Sequence, residues 1–157
     1  MVGMRLIIRS SAIHAAGCYT MAPIRKGARV VEYTGPRISK DEADEKYENS
    51  PTTYLFGVGD GKTVIDGHGT AMFINHSCEP NSVILGRTRI VALSTIEPGD
   101  EVTFDYSTNV GWDGFMMQCR CGAPRCRRVI RSYTFLSPEL KGRYGACVSR
   151  FLLEKRG

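Results

Sequence analysis

The sequence predicts a mainly β fold of the α+β class, built from several short sheets. Short runs rich in Val, Ile, Thr, Tyr and Phe recur along the first two-thirds of the 157-residue chain, and these residue types fit a pleated, half-buried surface. Gly, Pro, Asp and Asn separate the runs, as in GDGK (59–62) and EPGD (97–100), where a positive φ or a fixed proline φ suits a turn. The length allows one domain with a modest core.

Seven runs are predicted as strands because β-branched and aromatic residues dominate them. They cover residues 5–9, 29–33, 53–58, 63–66, 82–85, 89–93 and 101–104. Two helices are also predicted. The first, over residues 40–48, is highly charged and has little apolar face, so we expect it on the surface.

The second predicted helix lies near the carboxyl terminus. Ser137 can cap it, and Pro138 suits its first position, where no amide hydrogen bond is lost. Apolar residues then recur at helical spacing, namely Leu140, Tyr144, Val148, Phe151 and Leu152. Gly142 and Gly145 weaken this helix, so tertiary packing must help to hold it.

The formal net charge of +5 suits an acidic partner such as nucleic acid or chromatin, although an ordinary soluble protein with a positive surface has the same balance. No run approaches about 18 uninterrupted apolar residues, so a membrane-spanning helix is not expected. The amino-terminal apolar stretch is too short for a signal peptide. An intracellular location is therefore predicted, in the nucleus or in the cytoplasm or nucleoid, depending on the organism.

Cys119, Cys121 and Cys126 form a C-x-C-x4-C pattern in CRCGAPRC (119–126). Zinc takes four tetrahedral ligands in a structural site, and one tight loop can supply three of them. Cys78 is the best candidate for the fourth ligand. Four thiolates leave no open position for water, so the predicted zinc is structural and not catalytic. The alternative is a set of free or oxidised cysteines, as in a redox-sensing protein.

Five arginines crowd the same part of the chain: Arg120, Arg125, Arg127, Arg128 and Arg131. Zn²⁺ with four thiolates carries a net charge of about −2, which neighbouring arginines would stabilise. Part of this basic segment is therefore expected to serve the metal site and not a nucleic acid.

Three motifs carry a family resemblance when they are taken together. FINHSCEPN (73–81), EPGDEVTFDYS (97–107) and CRCGAPRC (119–126) resemble a SET-domain protein lysine methyltransferase with a post-SET zinc motif. The stretches 11–35 and 53–66 are similar to the opening and the middle of the same domain, so the match covers about residues 5 to 131. The resemblance implies a SET domain over 5–108, a post-SET zinc-binding segment over 109–131 and a C-terminal helical extension over 132–157.

The resemblance also implies a SET-type β-clip fold with a pseudo-knot. In that family the segment bearing NHSC is threaded by the segment bearing FDY, an exception to the rule that chains avoid threading. This threading brings together Asn75, His76 and Tyr106, which lie far apart in the sequence. The zinc-bound post-SET loop then closes the peptide channel, and the C-terminal helix packs on or beside it.

The implied activity is methyl transfer from S-adenosylmethionine to the ε-amine of a protein lysine. The attacking amine must be neutral, and a desolvated channel facing a sulfonium cation lowers the lysine pKa from about 10.4. By resemblance, the catalytic positions are Tyr106, which orients the amine beside the methyl group, Tyr54, which lines the channel, and Phe104. Phenylalanine at the last position implies room for di- or trimethylation, whereas tyrosine there restricts the product to one methyl group.

The resemblance places the cofactor on six residues: Ala15, Ala16, Gly17, Tyr54, Asn75 and His76. His76 is thereby expected to bind the cofactor and not to act as a general base. Ala15 replaces the first glycine of the family's G-x-G pattern, and alanine fits there if its φ is negative. Two further departures, Pro36 in place of Glu and Met72 in place of Arg, remove charges from neighbouring ion pairs.

The expected substrate is a histone or another basic chromatin protein, with at most weak or indirect nucleic-acid contact and no membrane. The oligomeric state stays open. Trp112, between Tyr106 and the zinc cluster, either lines the lysine channel or anchors its loop. The rival interpretation is a non-catalytic, zinc-containing module of the same fold that binds nucleic acid or acidic partners through its basic face.

Overall fold

A computed structural model of the chain describes residues 6–50 and 54–154. Twelve strands and three α-helices lie within these ranges. The strands are β1 (Leu6–Ser10), β2 (Ala16–Thr20), β3 (Arg29–Glu32), β4 (Arg37–Ser39), β5 (Leu55–Gly57), β6 (Thr63–Asp66), β7 (Asn75–His76), β8 (Ser82–Leu85), β9 (Arg89–Ala92), β10 (Thr103–Phe104), β11 (Met116–Gln118) and β12 (Val129–Arg131). The helices are α1 (Lys40–Lys46), α2 (Pro138–Tyr144) and α3 (Arg150–Glu154).

The strands form five small sheets. β1 pairs with β2 and β11 pairs with β12, both antiparallel. Two antiparallel sheets have three strands each, in the orders β4–β6–β5 and β3–β9–β8, and β7 pairs with β10 in parallel. This arrangement confirms the predicted mainly β fold of several short sheets. Over the described ranges, none of the helices is both long and apolar enough to cross a membrane.

All seven predicted strands overlap strands of the structure, although positions 5 and 53 lie outside the described residues. The strands β2, β4, β7, β11 and β12 were not predicted. β7 has two residues, and β4, β11 and β12 have three each, so their pairing depends on distant partners more than on local propensity. β2 begins with Ala and Gly, which are depleted in strands.

The sheet of β3, β9 and β8 lies between two hydrophobic clusters. Ile84 and Ile90 are fully buried in the main core, together with Phe56 and Phe104. Val83, next to Ile84, belongs to the second cluster because successive side chains of a strand point to opposite faces. The C-terminal part of the chain supplies most of that cluster, with Tyr133, Leu136, Tyr144, Val148 and Leu152. This part therefore packs on the face of the sheet opposite to the main core.

α1 is anchored at both ends. Ser39 caps its amino end by accepting a hydrogen bond from an amide of the first turn at 3.0 Å. At the other end, Lys46 Nζ and the Tyr47 hydroxyl both donate to the buried carboxylate of Asp66 on β6. Most side chains of α1 are exposed, and Ala43 is buried. The predicted surface helix is confirmed, and it ends two residues earlier than expected.

The prediction of one continuous C-terminal helix is wrong. α2 begins as predicted, with Ser137 accepting a hydrogen bond from the Leu140 amide at 3.2 Å and Pro138 in the first turn. It ends at Tyr144, and the next residue, Gly145, has a φ of 54°, a positive value that glycine adopts without a steric penalty. A turn follows, in which the Cys147 amide donates to the Tyr144 carbonyl oxygen at 2.8 Å, and α3 is a separate short helix.

Candidate active site and cysteine cluster

A cavity of about 1000 Å³ is lined by residues of β5, β6, β7 and β10. Its volume lies at the upper end of the range for small-molecule sites, about 300–1,000 Å³. Most of the predicted catalytic and cofactor residues line it, namely Ala15, Ala16, Tyr54, Asn75, His76, Phe104 and Tyr106. The structure therefore brings together side chains from four separate stretches of the sequence.

The parallel pairing of β7 with β10 joins the NHSC and FDY segments. Asn75 lies opposite Thr103, and His76 lies opposite Phe104. Tyr106 follows β10 by two residues, and its amide donates to His76 Nδ1 at 3.0 Å. The His76 and Tyr106 rings meet edge to face, with centroids 5.3 Å apart. Two segments that are remote in the sequence thus form one side of the cavity.

The hydrogen bonds of His76 determine its tautomer. Because Nδ1 accepts from the Tyr106 amide, the proton of the neutral ring lies on Nε2. Nε2 is 3.3 Å from the Cys78 sulfur, to which it donates in this tautomer. Burial lowers the pKa of His76 to about 4, against an opposing effect of Asp105. Both ring nitrogens are therefore engaged by the protein, and the imidazole is not free to take a proton from a substrate.

The Tyr106 hydroxyl is committed as a donor. It donates to the Ile74 carbonyl oxygen at 2.7 Å, and burial raises the pKa of Tyr106 well above its usual range. The phenol therefore stays protonated, and the lone pairs of its oxygen are left as acceptors. An oxygen arranged in this way can orient an amine or a polarised methyl group, but it does not serve as a base.

Aromatic rings form one wall of the cavity. The Phe104 centroid lies 4.9 Å from that of Tyr106 and 5.8 Å from that of Phe56. Tyr33 stacks on Phe56 at 4.4 Å and donates its hydroxyl to the Tyr54 carbonyl oxygen at 2.7 Å. Sequence reasoning did not identify Tyr33 as a cavity residue, because a tyrosine in a predicted strand is typical of a core. Its hydroxyl, which needs a partner when buried, was the one available signal.

The loop before β2 is held by a carboxylate that the sequence did not single out. Asn75 Nδ2 donates to the Ala16 carbonyl oxygen at 2.9 Å and to Glu101 Oε1 at 2.8 Å. The same carboxylate accepts from the Ser11 hydroxyl at 2.9 Å. A Cβ added at Gly17 would lie 2.1 Å from Glu101 Oε1, so only glycine leaves room for this carboxylate. Gly17 itself does not line the cavity.

Ala15 does not have the negative φ at which alanine was expected to fit in place of glycine. Its φ is +22°, so the negative φ at which alanine replaces glycine without penalty is absent. A positive φ is unfavourable for residues with a side chain because the Cβ crowds the backbone. The replacement of the family glycine by Ala15 therefore strains the loop that lines the cavity.

Cys78, Cys119, Cys121 and Cys126 converge on one point. Their sulfur atoms all lie within 4.8 Å of one another, and Cys78 Sγ is 3.7 Å from Cys119 Sγ. A tetrahedron with Zn–S bonds of about 2.3 Å has edges of about 3.8 Å. The arrangement is thus compatible with a four-thiolate metal site that includes Cys78, as the sequence indicated. The other two cysteines of the chain are not part of this cluster.

Backbone amides face the sulfur atoms of the cluster. Arg127 N lies 3.3 Å from Cys78 Sγ. Arg128 N lies 3.4 Å from Cys126 Sγ. Burial raises the pKa of Cys78 to about 11, whereas at Cys121 burial is outweighed by amide hydrogen bonds, which lower the pKa to about 7. A divalent cation bound by such a cluster favours the thiolate form of its ligands, and the amide donors suit that charge.

Comparison with known proteins identifies the domain. The family model described as SET domain matches residues 15–107, a range that contains the predicted cavity residues from Ala15 to Tyr106. The chain belongs to the SET-domain family. The predicted post-SET segment (109–131) and C-terminal extension (132–157) lie beyond the matched range, and their limits stay predictions.

Histone-lysine N-methyltransferases of fungi and insects are similar to this chain in sequence. A histone-lysine N-methyltransferase, H3 lysine-4 specific, from Candida albicans is 39% identical over 139 residues, which cover 76% of this chain and 13% of that protein. Histone-lysine N-methyltransferase ash1 from Drosophila melanogaster is 35% identical over 128 residues, which cover 73% of this chain and 6% of that protein. The chain therefore spans a small part of the length of these curated relatives.

A solved SET-domain structure has the same fold. The methyltransferase domain of human histone-lysine N-methyltransferase SETMAR superposes with a TM-score of 0.66 at 23% identity, over 81% of this chain and 58% of that chain. At this level of identity the likeness is evidence of fold alone. It confirms the SET-type architecture that the motifs predicted.

In this SET domain, Asp105 contacts both the predicted post-SET segment (109–131) and the predicted C-terminal extension (132–157). Its fully buried carboxylate accepts two hydrogen bonds from the Arg127 guanidinium, at 2.9 and 2.8 Å. The Tyr144 hydroxyl of α2 donates to Asp105 Oδ2 at 2.8 Å. Sequence reasoning missed these contacts because no motif or spacing connects the three residues.

Trp112 lies at the rim of the SET-domain cavity. It lines the cavity that Tyr106 also lines, and it is 46% exposed. The Lys40 ammonium of α1 is 3.7 Å from the centroid of its ring. Because a charged group and solvent cover the ring, its position favours the lining role over that of an apolar anchor. Its function in the channel stays a prediction.

Proposed function

We propose that this SET-domain protein transfers methyl groups from S-adenosylmethionine to a lysine of a histone or another basic chromatin protein. One observation carries the proposal: the Tyr106 hydroxyl is fixed on the Ile74 carbonyl oxygen inside a cavity that Asn75 and His76 also line. The functions of the similar proteins support it, since one is specific for H3 lysine-4. A chromatin setting, and hence a nuclear or nucleoid location, follows from such a substrate.

The cofactor would be held by Ala15, Ala16, Tyr54, Asn75 and His76, all of which line the cavity. S-adenosylmethionine supplies an electrophilic methyl group on a sulfonium centre when it is bound. The imidazole of His76 is engaged by Tyr106 and Cys78, so His76 would contact the cofactor through its backbone. Gly17 would act indirectly, by leaving space for the Glu101 carboxylate that holds this loop.

The substrate amine would be activated without a dedicated base. Tyr106 stays protonated, and His76 has no free ring nitrogen. Desolvation in the aromatic part of the cavity favours the neutral form of a lysine. The Tyr106 oxygen would then accept a hydrogen bond from the amine and align it with the methyl group, and such positioning supplies much of the rate of a displacement reaction.

Phe104 would set the number of methyl groups that the cavity accepts. Its buried ring stands between the rings of Phe56 and Tyr106 and carries no hydroxyl that would occupy the space beside the amine. An amine that already bears methyl groups therefore has room to turn for another transfer. We infer that di- and trimethyl-lysine are accessible products.

The four clustered cysteines would hold a structural Zn²⁺. Their sulfur spacing fits a tetrahedral ion, and four thiolate ligands leave no position for a catalytic water. The ion would fasten the segment 119–128 to Cys78, two residues beyond His76. Cys119 lines the cavity, so a fastened loop would contribute directly to the cavity wall.

Incubation with tritiated S-adenosylmethionine and recombinant core histones tests the proposal. We expect label in histone H3, and we expect Tyr106→Phe to lose activity about 100-fold or more because the oriented oxygen is gone. Thr88→Val is the matched control, since it removes a hydroxyl that donates to Glu32 outside the cavity. Absence of label in every histone, together with salt-dependent DNA binding, would instead support the non-catalytic interpretation.

A further inference from the structure

We propose that Trp112 and Asp44 form a subsite for an arginine side chain that flanks the target lysine of the substrate. The inference rests on the proposed methyltransferase function, and it says what the rim of the cavity recognises. In the structure, the ammonium group of Lys40 occupies this position.

The geometry is that of a cation site. Lys40 Nζ lies 3.7 Å from the centroid of the Trp112 ring and 2.9 Å from Asp44 Oδ2. The face of an indole attracts a cation through its quadrupole, and the carboxylate supplies the opposite charge. Lys40, Asp44 and Trp112 all line the cavity that contains Tyr106. At the edge of the proposed active-site cavity, the Lys40 ammonium therefore contacts both the aromatic face of Trp112 and the carboxylate of Asp44.

The occupant can be displaced. The Lys40 side chain is 27% exposed and that of Asp44 is 62% exposed, and Trp112 is also partly open to solvent. Exposed ion pairs between residues four apart on a helix contribute little stability. A cation carried by a substrate thus competes with Lys40 for the same ring and the same carboxylate.

The charged residues that line the cavity explain why a basic side chain would bind at Trp112 and Asp44. Asp44 is the only carboxylate among the described residues that line the cavity, and the other ionisable groups there include Lys40, Arg120 and His14. Lys40 and Arg120 repel a basic substrate. The carboxylate of Asp44, close to the Trp112 ring, attracts it. Arginine fits better than lysine because its planar guanidinium stacks on aromatic faces and is more weakly hydrated than an ammonium.

A simple tether between α1 and the Trp112 loop is the competing explanation of the Lys40 contact. In that case Lys40→Met would change stability, but it would not change the preference of the protein for arginine in a ligand. The subsite predicts the reverse, because the variant frees both the ring and the carboxylate for a cation from outside.

Trp112 is the single tryptophan of the chain, so tryptophan fluorescence reports on ligands that bind at or beside this ring. The probes are an amino-terminal H3 peptide and the same peptide with every arginine replaced by citrulline, which keeps the shape and removes the charge. We expect Lys40→Met to bind the arginine peptide roughly two- to fivefold more tightly than the wild type. Lys40→Arg keeps a cation over the ring and should bind like the wild type, and the citrulline peptide should not distinguish the variants.

Two further measurements separate binding from catalysis. Adding Asp44→Asn to Lys40→Met should reverse the gain in affinity for the arginine peptide. In turnover assays, Trp112→Phe should raise KM for the arginine peptide more than it raises KM for the citrulline peptide. Titration with N-acetyl-arginine amide and its citrulline counterpart repeats the binding test without any choice of peptide.

The outcomes for the subsite and for the enzyme are distinguishable. Arginine-selective fluorescence changes without methyl transfer uphold the subsite and overturn only the proposed activity. If Lys40→Met shows no gain in selectivity for arginine over citrulline, with the peptides and with the amides, the subsite is overturned even if the protein methylates histones.

Discussion

Arg127 and Asp105 form a bidentate ion pair, with N···O distances of 2.9 and 2.8 Å. Arg127 directly follows the last cysteine of the cluster, and Asp105 directly precedes Tyr106. The pair therefore links the cysteine loop to the residue that we propose as the reaction centre. The Asp105 side chain is fully buried, whereas that of Arg127 is 23% exposed. Loss of the arginine would leave a buried carboxylate without its counter-charge.

Replacement of Arg127 should destabilise the fold strongly. We expect Arg127→Ala to lower the free energy of unfolding by about 3 kcal/mol, since a buried charge that loses its partner is not compensated by solvent. Urea denaturation of the wild type and the variant measures the difference. Arg125→Ala is the control, because its side chain is exposed. Equal losses in the two variants would contradict a specific role for the ion pair.

Metal content should depend on the four clustered cysteines and on no others. We expect the purified protein to contain about one zinc per chain, and Cys126→Ser to release it and lower Tm, since metal binding and folding are coupled. Cys147→Ser should keep the metal, because Cys147 lies outside the cluster. Elemental analysis with thermal melting decides the point. Full retention of zinc in Cys126→Ser would rule out the proposed ligand set.

Ala15→Gly should stabilise the protein. The φ of +22° at Ala15 is unfavourable for alanine, and relief of that strain outweighs the extra freedom that glycine gives the unfolded chain. We expect a gain of about 0.5 kcal/mol. Ala12→Gly, in the same loop but without a positive φ, should lose a similar amount. A loss in both variants, measured by chemical denaturation, would show that the conformation of Ala15 is not strained.

The stabilising effect of Asp66 should depend on pH. Hydrogen bonds from Lys46 and Tyr47 hold the pKa of Asp66 below its usual range. Because the folded-state pKa is the lower one, the effect is complete above the unfolded-state pKa of about 3.9 and is lost as the pH falls through the folded-state value. The stability difference between wild type and Asp66→Asn should thus be constant above about pH 5 and shrink below about pH 4. A difference that does not vary with pH would contradict this assignment.

The cysteine cluster could be predicted because zinc chemistry leaves few choices. A C-x-C-x4-C loop supplies three thiolates and needs a fourth. Cys78, in the motif FINHSCEPN (73–81), was the best candidate for it. The structure brings Cys78 Sγ to 3.7 Å from Cys119 Sγ. The residues of a four-thiolate metal site could thus be predicted from the sequence, because the number and spacing of the ligands are restricted.

Other features depend on tertiary packing that no local pattern encodes. β7, which was not predicted, has two residues and exists because it pairs with β10. The apolar spacing of the C-terminal region continues beyond Gly145, since Val148 and Leu152 belong to the same hydrophobic cluster as Tyr144, although a non-helical stretch separates α2 from α3. Helical periodicity therefore selected Tyr144, Val148 and Leu152, which are buried, but it predicted the length of the helix wrongly; the side chain of Phe151 lies outside the described part of the structure.

Mass spectrometry of histone H3 after incubation with S-adenosylmethionine tests the central claim most directly, because it reports both the modified lysine and the number of methyl groups. We predict di- or trimethyl-lysine with the wild type, strongly reduced product with Tyr106→Phe and monomethyl-lysine with Phe104→Tyr, which adds a hydroxyl to a ring whose centroid lies 4.9 Å from that of Tyr106. Failure of the wild type to methylate any histone lysine, or an unchanged product distribution with Phe104→Tyr, would contradict it.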